Sequence, residues 1–169
     1  MNKLGMNAER MSKVILRPYL PMDRECLESF ELPEGQIEFS ALPKDVLEQA
    51  IQDDERYPVV ILYEQKIAGF FTLQEGPNIA NFAINSNAML LQSFSIDYQH
   101  QGQGVAKGAM LQLPEFMKSQ FPGRNEVVLS VNKRNKAAQA VYLSAGFRDN
   151  GRLIDGPIGP QHIYHLALV

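Results

Sequence analysis

Hydrophobic positions follow two periods along this chain, and each period predicts a kind of element. Val14–Leu20 is β-rich but carries Pro18, so a first strand is expected to end there. Asp23–Leu32 has helical character. Pro43 followed by Asp45–Ile51 predicts a second helix with proline in its first turn. Two apolar runs, Pro58–Tyr63 and Ile67–Leu73, are joined by the polar link Glu64–Lys66, which predicts a hairpin. Pro77–Asn87 reads as a loop with a bulge. Met89–Ile96 is the next strand. Gly104–Phe121 has helical length, but Pro114 inside it predicts a kink or break. Val127–Val131 is almost wholly apolar, as expected of a strand covered on both faces.

The clearest helix spans Asn135–Ala145. Asn135 is a good N-cap, Ala138, Val141, Tyr142 and Ala145 share helical spacing, and Gly146 suits the left-handed position after the last turn. His162–Val169 is expected to close the sheet. Antiparallel hairpins therefore come first, followed by strand, helix, strand, helix, strand. No repeat or long linker interrupts this order, so residues 1–169 read as one domain.

Composition narrows the class. A chain of 169 residues can bury enough surface to fold without covalent staples. Cys26 is its one cysteine, so no intrachain disulfide can form, which fits a cytoplasmic location. No apolar run approaches bilayer length, and residues 1–13 have no apolar core of the secretory kind. The expectation is no membrane partner. The net charge of −3 argues against general nucleic-acid binding. That charge is segregated. Glu34–Glu55 holds seven acids and one lysine, whereas Gln101–Lys136 holds six basic residues and two acids. Three histidines and one cysteine form no metal-ligand set.

The most informative segment is Gln101-Gly-Gln-Gly-Val-Ala106, between a strand and a helix. A glycine-rich turn there presents unpartnered N–H groups and the positive end of a helix dipole, a site for phosphate oxygens. Gly102 and Gly104 give the backbone freedom to approach an anion. Lys107 stands where a dinucleotide-binding G-x-G-x-x-G would need its third glycine, and no Walker A string occurs. The spacing Gln101-x-x-Gly104-x-Ala106 instead resembles the pyrophosphate turn of the GNAT N-acetyltransferases. A second motif strengthens the likeness. Asn135, Ala138, Tyr142, Gly146 and Phe147 match the pattern N-x-x-A-x-x-x-Y-x-x-x-G-F. The resemblance covers roughly residues 58–147.

The resemblance implies a mixed α/β (α+β) fold: a mostly antiparallel sheet of six or seven strands, about four helices, and parallel strands splayed around acetyl-CoA. It implies an acceptor-side part (1–56), a cofactor-binding core (57–148) and a C-terminal strand (160–169). Acetyl-CoA is the implied cosubstrate. Phe94, Ser95 and Ile96 would lie beside its pantetheine arm, with the backbone of Phe94 and Ile96 pairing its amides. Gln101, Gly102, Gln103 and Gly104, followed by Val105, Ala106 and Lys107, would hold the pyrophosphate. Lys107, Lys133, Arg134 and Lys136 are candidate phosphate partners. Asn135 would contact the cofactor arm or the acceptor. Tyr142, on the same helix face as Asn135 and about 10.5 Å along the axis, would touch the cofactor and be the general acid.

The implied activity is N-acetyl transfer to a small amine. A short likeness of Pro33–Ala41 to polyamine acetyltransferases makes Glu34 and Glu38 the substrate-binding candidates. Glu34, Glu38, Glu75 and Asp97 are open as general base, and His100 reads as surface. The alternative is a non-catalytic acetyl-CoA-binding module. Phe70, Phe71 and the closing strand are candidates for a homodimer face, which core packing explains equally well.

Overall fold

A computed structural model describes residues 13–169; the reading of residues 1–13 lies almost wholly outside it. Seven strands form one sheet: β1 (Val14–Pro18), β2 (Arg56–Tyr63), β3 (Lys66–Gln74), β4 (Ala88–Ile96), β5 (Glu126–Asn132), β6 (Arg148–Gly156) and β7 (Gly159–Ala167). Their spatial order is β1-β2-β3-β4-β5-β7-β6, and every neighbouring pair is antiparallel except β4–β5. The helices are α1 (Arg24–Glu28), α2 (Glu34–Ile37), α3 (Pro43–Gln52), α4 (Val105–Gln120) and α5 (Lys136–Ser144). This is the mixed, mostly antiparallel sheet with flanking helices that the motifs imply. Among the described residues, no helix is long and apolar enough to cross a membrane.

Alternation along the strands divides the core. Val59, Ile61, Phe71 and Leu73 face the main cluster, where α4 contributes Ala109, Leu113 and Met117. Val60 and Phe70 face the opposite way, onto Leu27 of α1 and Leu47 of α3. Phe70 and Phe71 are thus both core residues of this chain. Glu64 and Gln65 form the β2–β3 turn with φ of 50° and 68°, the two positive values that a tight hairpin of the right twist demands.

Several elements depart from expectation. α1 is shorter than Asp23–Leu32, because the chain leaves the helix at Ser29 and Glu31 bonds backbone-to-backbone with Tyr98. Helix α4 runs through Pro114 without a break, since that residue sits on the solvent face. The expected bulge lies in β4 rather than in Pro77–Asn87. Phe70 pairs with Ser95 and Thr72 with Gln92, so β4 carries one extra residue there, and Ser93 takes φ 57°. The 77–87 loop instead tucks Ile79 and Ala83 under Leu90 and Val128. β6 and α2 were not anticipated.

The bulge positions the site. β4 and β5 pair only through Ala88, Met89 and Leu90 against Glu126, Val127 and Val128. A bulge bends its strand and increases local twist. Past Leu90, β4 stays with β3 while β5 stays with β7 through Asn132, and the two separate. Gly69 permits β4 to lie close. An added Cβ would sit 2.7 Å from Ile96 Cδ1, 2.9 Å from Ile61 Cδ1 and 3.0 Å from the Ser95 carbonyl oxygen. Gly69→Ala is therefore expected to cost about 1–3 kcal/mol by overpacking. Urea unfolding would show a lower midpoint at unchanged m-value; an unchanged midpoint would mean the two isoleucines repack freely.

Candidate active site

The split between β4 and β5 opens two connected clefts. The larger, about 700 Å³, lies toward the glycine turn; the smaller, about 350 Å³, lies between β4, β5 and the β6–β7 hairpin tip. Phe94, Ser40, Asn135 and Tyr142 border both.

The glycine turn is built as its sequence demands. Gly102 and Gly104 adopt φ of 77° and 80°, and Gly104 caps α4 in the left-handed conformation. A Cβ on Gly102 would meet nothing within 4 Å, so backbone conformation rather than space calls for glycine there. The first bond of α4 runs from the Gly108 N–H to the Gly104 carbonyl. The N–H groups of Val105, Ala106 and Lys107 therefore have no acceptor within the helix, which suits them to a diphosphate. Gln101 turns inward: its Nε2 donates to the Ile96 carbonyl at 2.9 Å and to Gln36 Oε1 at 2.8 Å, and Gln36 Nε2 donates back at 3.0 Å. All the anticipated turn residues border the larger cleft except Gln103. Phe94, Ser95 and Ile96 border it as well. The Phe94 carbonyl accepts Ser40 Oγ at 2.7 Å, which leaves it one free lone pair. Lys107, Arg134 and Lys136 border this cleft and Lys133 does not.

On the other wall, Asn135 caps α5 by accepting the Ala138 N–H at 3.2 Å, so its Nδ2 remains the available donor. At the far end, Phe147 N–H bonds to the Tyr142 carbonyl and Gly146 N–H to the Leu143 carbonyl, with Gly146 at φ 103°. These two bonds make a Schellman ending. That ending folds Phe147 back onto Tyr142, with ring centroids 5.7 Å apart, and the Phe94 ring packs against Tyr142 at 6.0 Å. The Tyr142 ring is thereby fixed at the junction of the clefts with 7% of its surface exposed. Burial alone pushes its hydroxyl well above the usual phenol range, so it is a neutral O–H at any physiological pH.

The candidate bases separate clearly. Glu34 borders neither cleft, whereas Glu38 borders the smaller one. Glu75 is held by Tyr57 and Arg124, away from both. Asp97 is buried and accepts from the Glu31 N–H and Gln99 Nε2, each at 2.9 Å, so it anchors the N-terminal segment. His100, read as surface, is half-buried and borders the larger cleft. Sequence reading missed Ser40, which borders both clefts, and had Arg134 only as a candidate phosphate partner. Arg134 Nη2 donates to Glu38 Oε1 at 2.7 Å and to the Ile158 carbonyl at 3.1 Å, and its guanidinium lies 5.6 Å from the Phe39 ring centre. The acidic and basic segments seen in the sequence meet at this ion pair.

Known proteins of this construction carry acetyl transfer. A sequence model of the acetyltransferase (GNAT) family matches residues 22–147. The uncharacterized N-acetyltransferase YbbJ of Bacillus subtilis strain 168 is 43% identical over 148 residues, covering 87% of this chain and 92% of its own. Human N-acetyltransferase 8B is 33% identical over 92 residues, 49% of this chain and 39% of its own. Among solved structures, spermidine N-acetyltransferase from Vibrio cholerae, in complex with CoA and spermine, superposes with a TM-score of 0.69 at 17% identity, over 93% of this chain and 96% of that one. AAC(6')-Ib, solved with paromomycin and acetyl-CoA, gives 0.74 at 17% identity, over 92% and 93%. The family match spans both the glycine turn and the Tyr142 helix, and a relative of 43% identity runs alongside nearly the whole chain; this protein belongs to the GNAT family and is an acetyl-CoA-dependent N-acetyltransferase.

Proposed function

We propose that the larger cleft holds acetyl-CoA, the smaller one holds a small primary amine, and transfer takes place where they meet at Tyr142. The observation that carries this reading is the shared border: Phe39, Ser40, Phe94, Asn135, Ala138 and Tyr142 line both clefts. When bound, acetyl-CoA supplies an acetyl thioester: a carbon–nitrogen bond to the neutral amine forms, the carbon–sulfur bond breaks, and a proton from the amine is balanced by one on the departing sulfur.

The chain's own residues have separable tasks. The free N–H groups of Val105, Ala106 and Lys107 bind the diphosphate, helped by the charges of Lys107 and Lys136. Unpaired β4 backbone beyond Leu90 offers the cofactor arm a strand edge to follow. Tyr142 holds a proton on its hydroxyl and releases it to the sulfur. A phenol made less acidic by burial is a weak proton donor, so alignment of the two substrates contributes more to rate than acidity does. Among the described residues Glu38 is the one carboxylate bordering the acceptor cleft, and it is the candidate to receive the proton that the ammonium loses before attack.

The acceptor class is narrowed by the same residues. The structural likeness to a spermidine acetyltransferase and the acidic N-terminal segment both suggest a polyamine. Against that, Glu34 borders neither cleft and Glu38 is already paired with Arg134. A small primary amine is the reading that both sets of observations support.

Thermal-shift titration tests cofactor binding. A ligand of the native state at a thousandfold excess over its dissociation constant stabilises by about 4 kcal/mol. Acetyl-CoA and CoA are expected to raise the midpoint, with ATP and NAD inert; a larger shift with ATP or NAD would refute the assignment of the glycine turn. Thiol release across a panel of primary amines then tests the acceptor cleft.

A further inference from the structure

We infer that Arg134 recognises the acceptor, and that the amine acetylated by this enzyme also carries a carboxylate. This rests on the reading that the smaller cleft is the acceptor site, and it adds the chemistry of the part of the substrate that does not react.

Arg134 is held as a recognition group. It precedes the N-cap of α5 and borders the larger cleft, while Glu38, Phe39 and Ile158, which its guanidinium contacts, border the smaller one. Two segments distant in sequence hold its guanidinium: Glu38 and the Phe39 ring after α2, and the Ile158 carbonyl at the β6–β7 tip. Asn132 also donates to the Ile158 carbonyl, at 3.4 Å, and its Oδ1 accepts the Arg134 N–H at 2.9 Å, so the loop beneath the guanidinium is itself pinned. Both polar contacts of the guanidinium use Nη2. Among the described residues, Nε and Nη1 have no partner. An arginine held at Nη2 and lying over an aromatic ring, with its other donors uncommitted, can offer a second carboxylate the fork that such groups bind.

The charge balance of the cleft favours the same ligand. Among the described residues bordering the acceptor cleft, Glu38 is the only charged side chain, and it lies against Arg134, which borders the larger cleft. A polyamine would bring two or more ammonium groups to one carboxylate that is already neutralised. An amine bearing a carboxylate gives every charge an opposite neighbour: its carboxylate on Arg134, and its nitrogen on the Glu38 side near Tyr142. Lys107 and Lys136 border the cofactor cleft without an ion pair among the described residues, and so remain for the CoA phosphates.

The test compares each amino acid with its own carboxamide. Glycine, β-alanine and 4-aminobutyrate place the carboxylate at increasing distance from the amine, and each amide removes the charge while keeping the shape. Spermidine is included as the polycation. For the full-length enzyme, kcat/KM for the best acid is expected to exceed that of its amide by roughly tenfold or more, the scale of a charge-assisted hydrogen bond. In Arg134→Gln this ratio is expected to fall to about one, and Arg134→Lys to retain part of it. Loss of a CoA phosphate contact would instead raise the KM for acetyl-CoA and slow acid and amide alike, leaving the ratio unchanged. A wild-type ratio near one, a ratio unmoved by Arg134→Gln, or a preference for spermidine over every acid would overturn the proposal alone. If acetyl-CoA binds yet no amine of any kind releases thiol, the acceptor-cleft reading falls with it.

Discussion

Replacing Tyr142 by Phe is expected to lower kcat roughly 100-fold while changing CoA affinity by no more than about twofold, the low end of the range for loss of a general acid. The substitution is narrow because the ring's packing survives it. Phe94 and Phe147 pack against the ring, and a phenylalanine meets the same contacts. Only the hydroxyl disappears. Burial is the sole cause of its raised pKa, with no hydrogen-bond contribution from the protein, so removing it strands no partner.

The sign of the pH dependence follows. A raised pKa keeps the proton on Tyr142 through neutral pH, so any alkaline loss of activity due to this group lies above about pH 10. A rising limb from deprotonation of the amine is expected in the wild-type profile and should persist in Tyr142→Phe. Steady-state kinetics from pH 6 to 10 with a fixed acceptor would check both points. Equal kcat for the two enzymes would remove Tyr142 from proton transfer and leave it as a wall of the cleft.

The largest loss of stability is expected at Asp23, remote from the chemistry. This carboxylate is 1% exposed and receives Arg17 Nη1 at 2.6 Å and Nη2 at 2.8 Å, together with the Leu20 N–H at 2.8 Å. The Arg17 guanidinium, as the leading cause, holds its pKa below the usual carboxylate range. Asp23→Ala leaves a half-buried guanidinium and a backbone donor without partners. Breaking a buried pair in this way costs about 3 kcal/mol, which for a chain of this length lowers Tm by roughly 6–12 °C. Because the folded-state pKa is depressed, the stabilisation is complete above the unfolded value near 4 and fades as pH falls through the folded one. The gap between wild type and Asp23→Ala in urea should therefore be full at pH 7 and narrow toward pH 3. A gap below about 1 kcal/mol at pH 7 would place this pair with ordinary surface ion pairs.

What could be read from sequence was whatever local chemistry determines. Asn135 and Gly146 bracket α5 because an N-cap and a left-handed C′ residue act within one turn of chain, and both are found as expected. The glycine turn was legible for the same reason. β6 was not, because RDNGRLIDG is an edge strand bonded to one neighbour and largely exposed, so no face of it needs apolar residues. The bulge at Ser93 is imposed by the register against β3, which no serine announces. What distance hid was which residues meet: Glu38 and Arg134 are 96 positions apart, and Ser40 and Phe94 are 54. Each is unremarkable in its own segment. Glu34 shared the acidic signal that pointed to Glu38, but the chain turns through α2 between them and leaves only the second at a cleft.

Three residue pairs hold β4 to β5, and above them the sheet parts. The gap has two facing walls, one carrying Phe94 and the glycine turn, the other carrying Asn135, Tyr142 and the hairpin tip, and both clefts share them. A substitution at Phe94, Asn135 or Tyr142 made to admit a bulkier acceptor therefore alters a surface of the larger cleft as well. If the larger cleft holds acetyl-CoA as proposed, acceptor selectivity and cofactor affinity are expected to change together in such a variant.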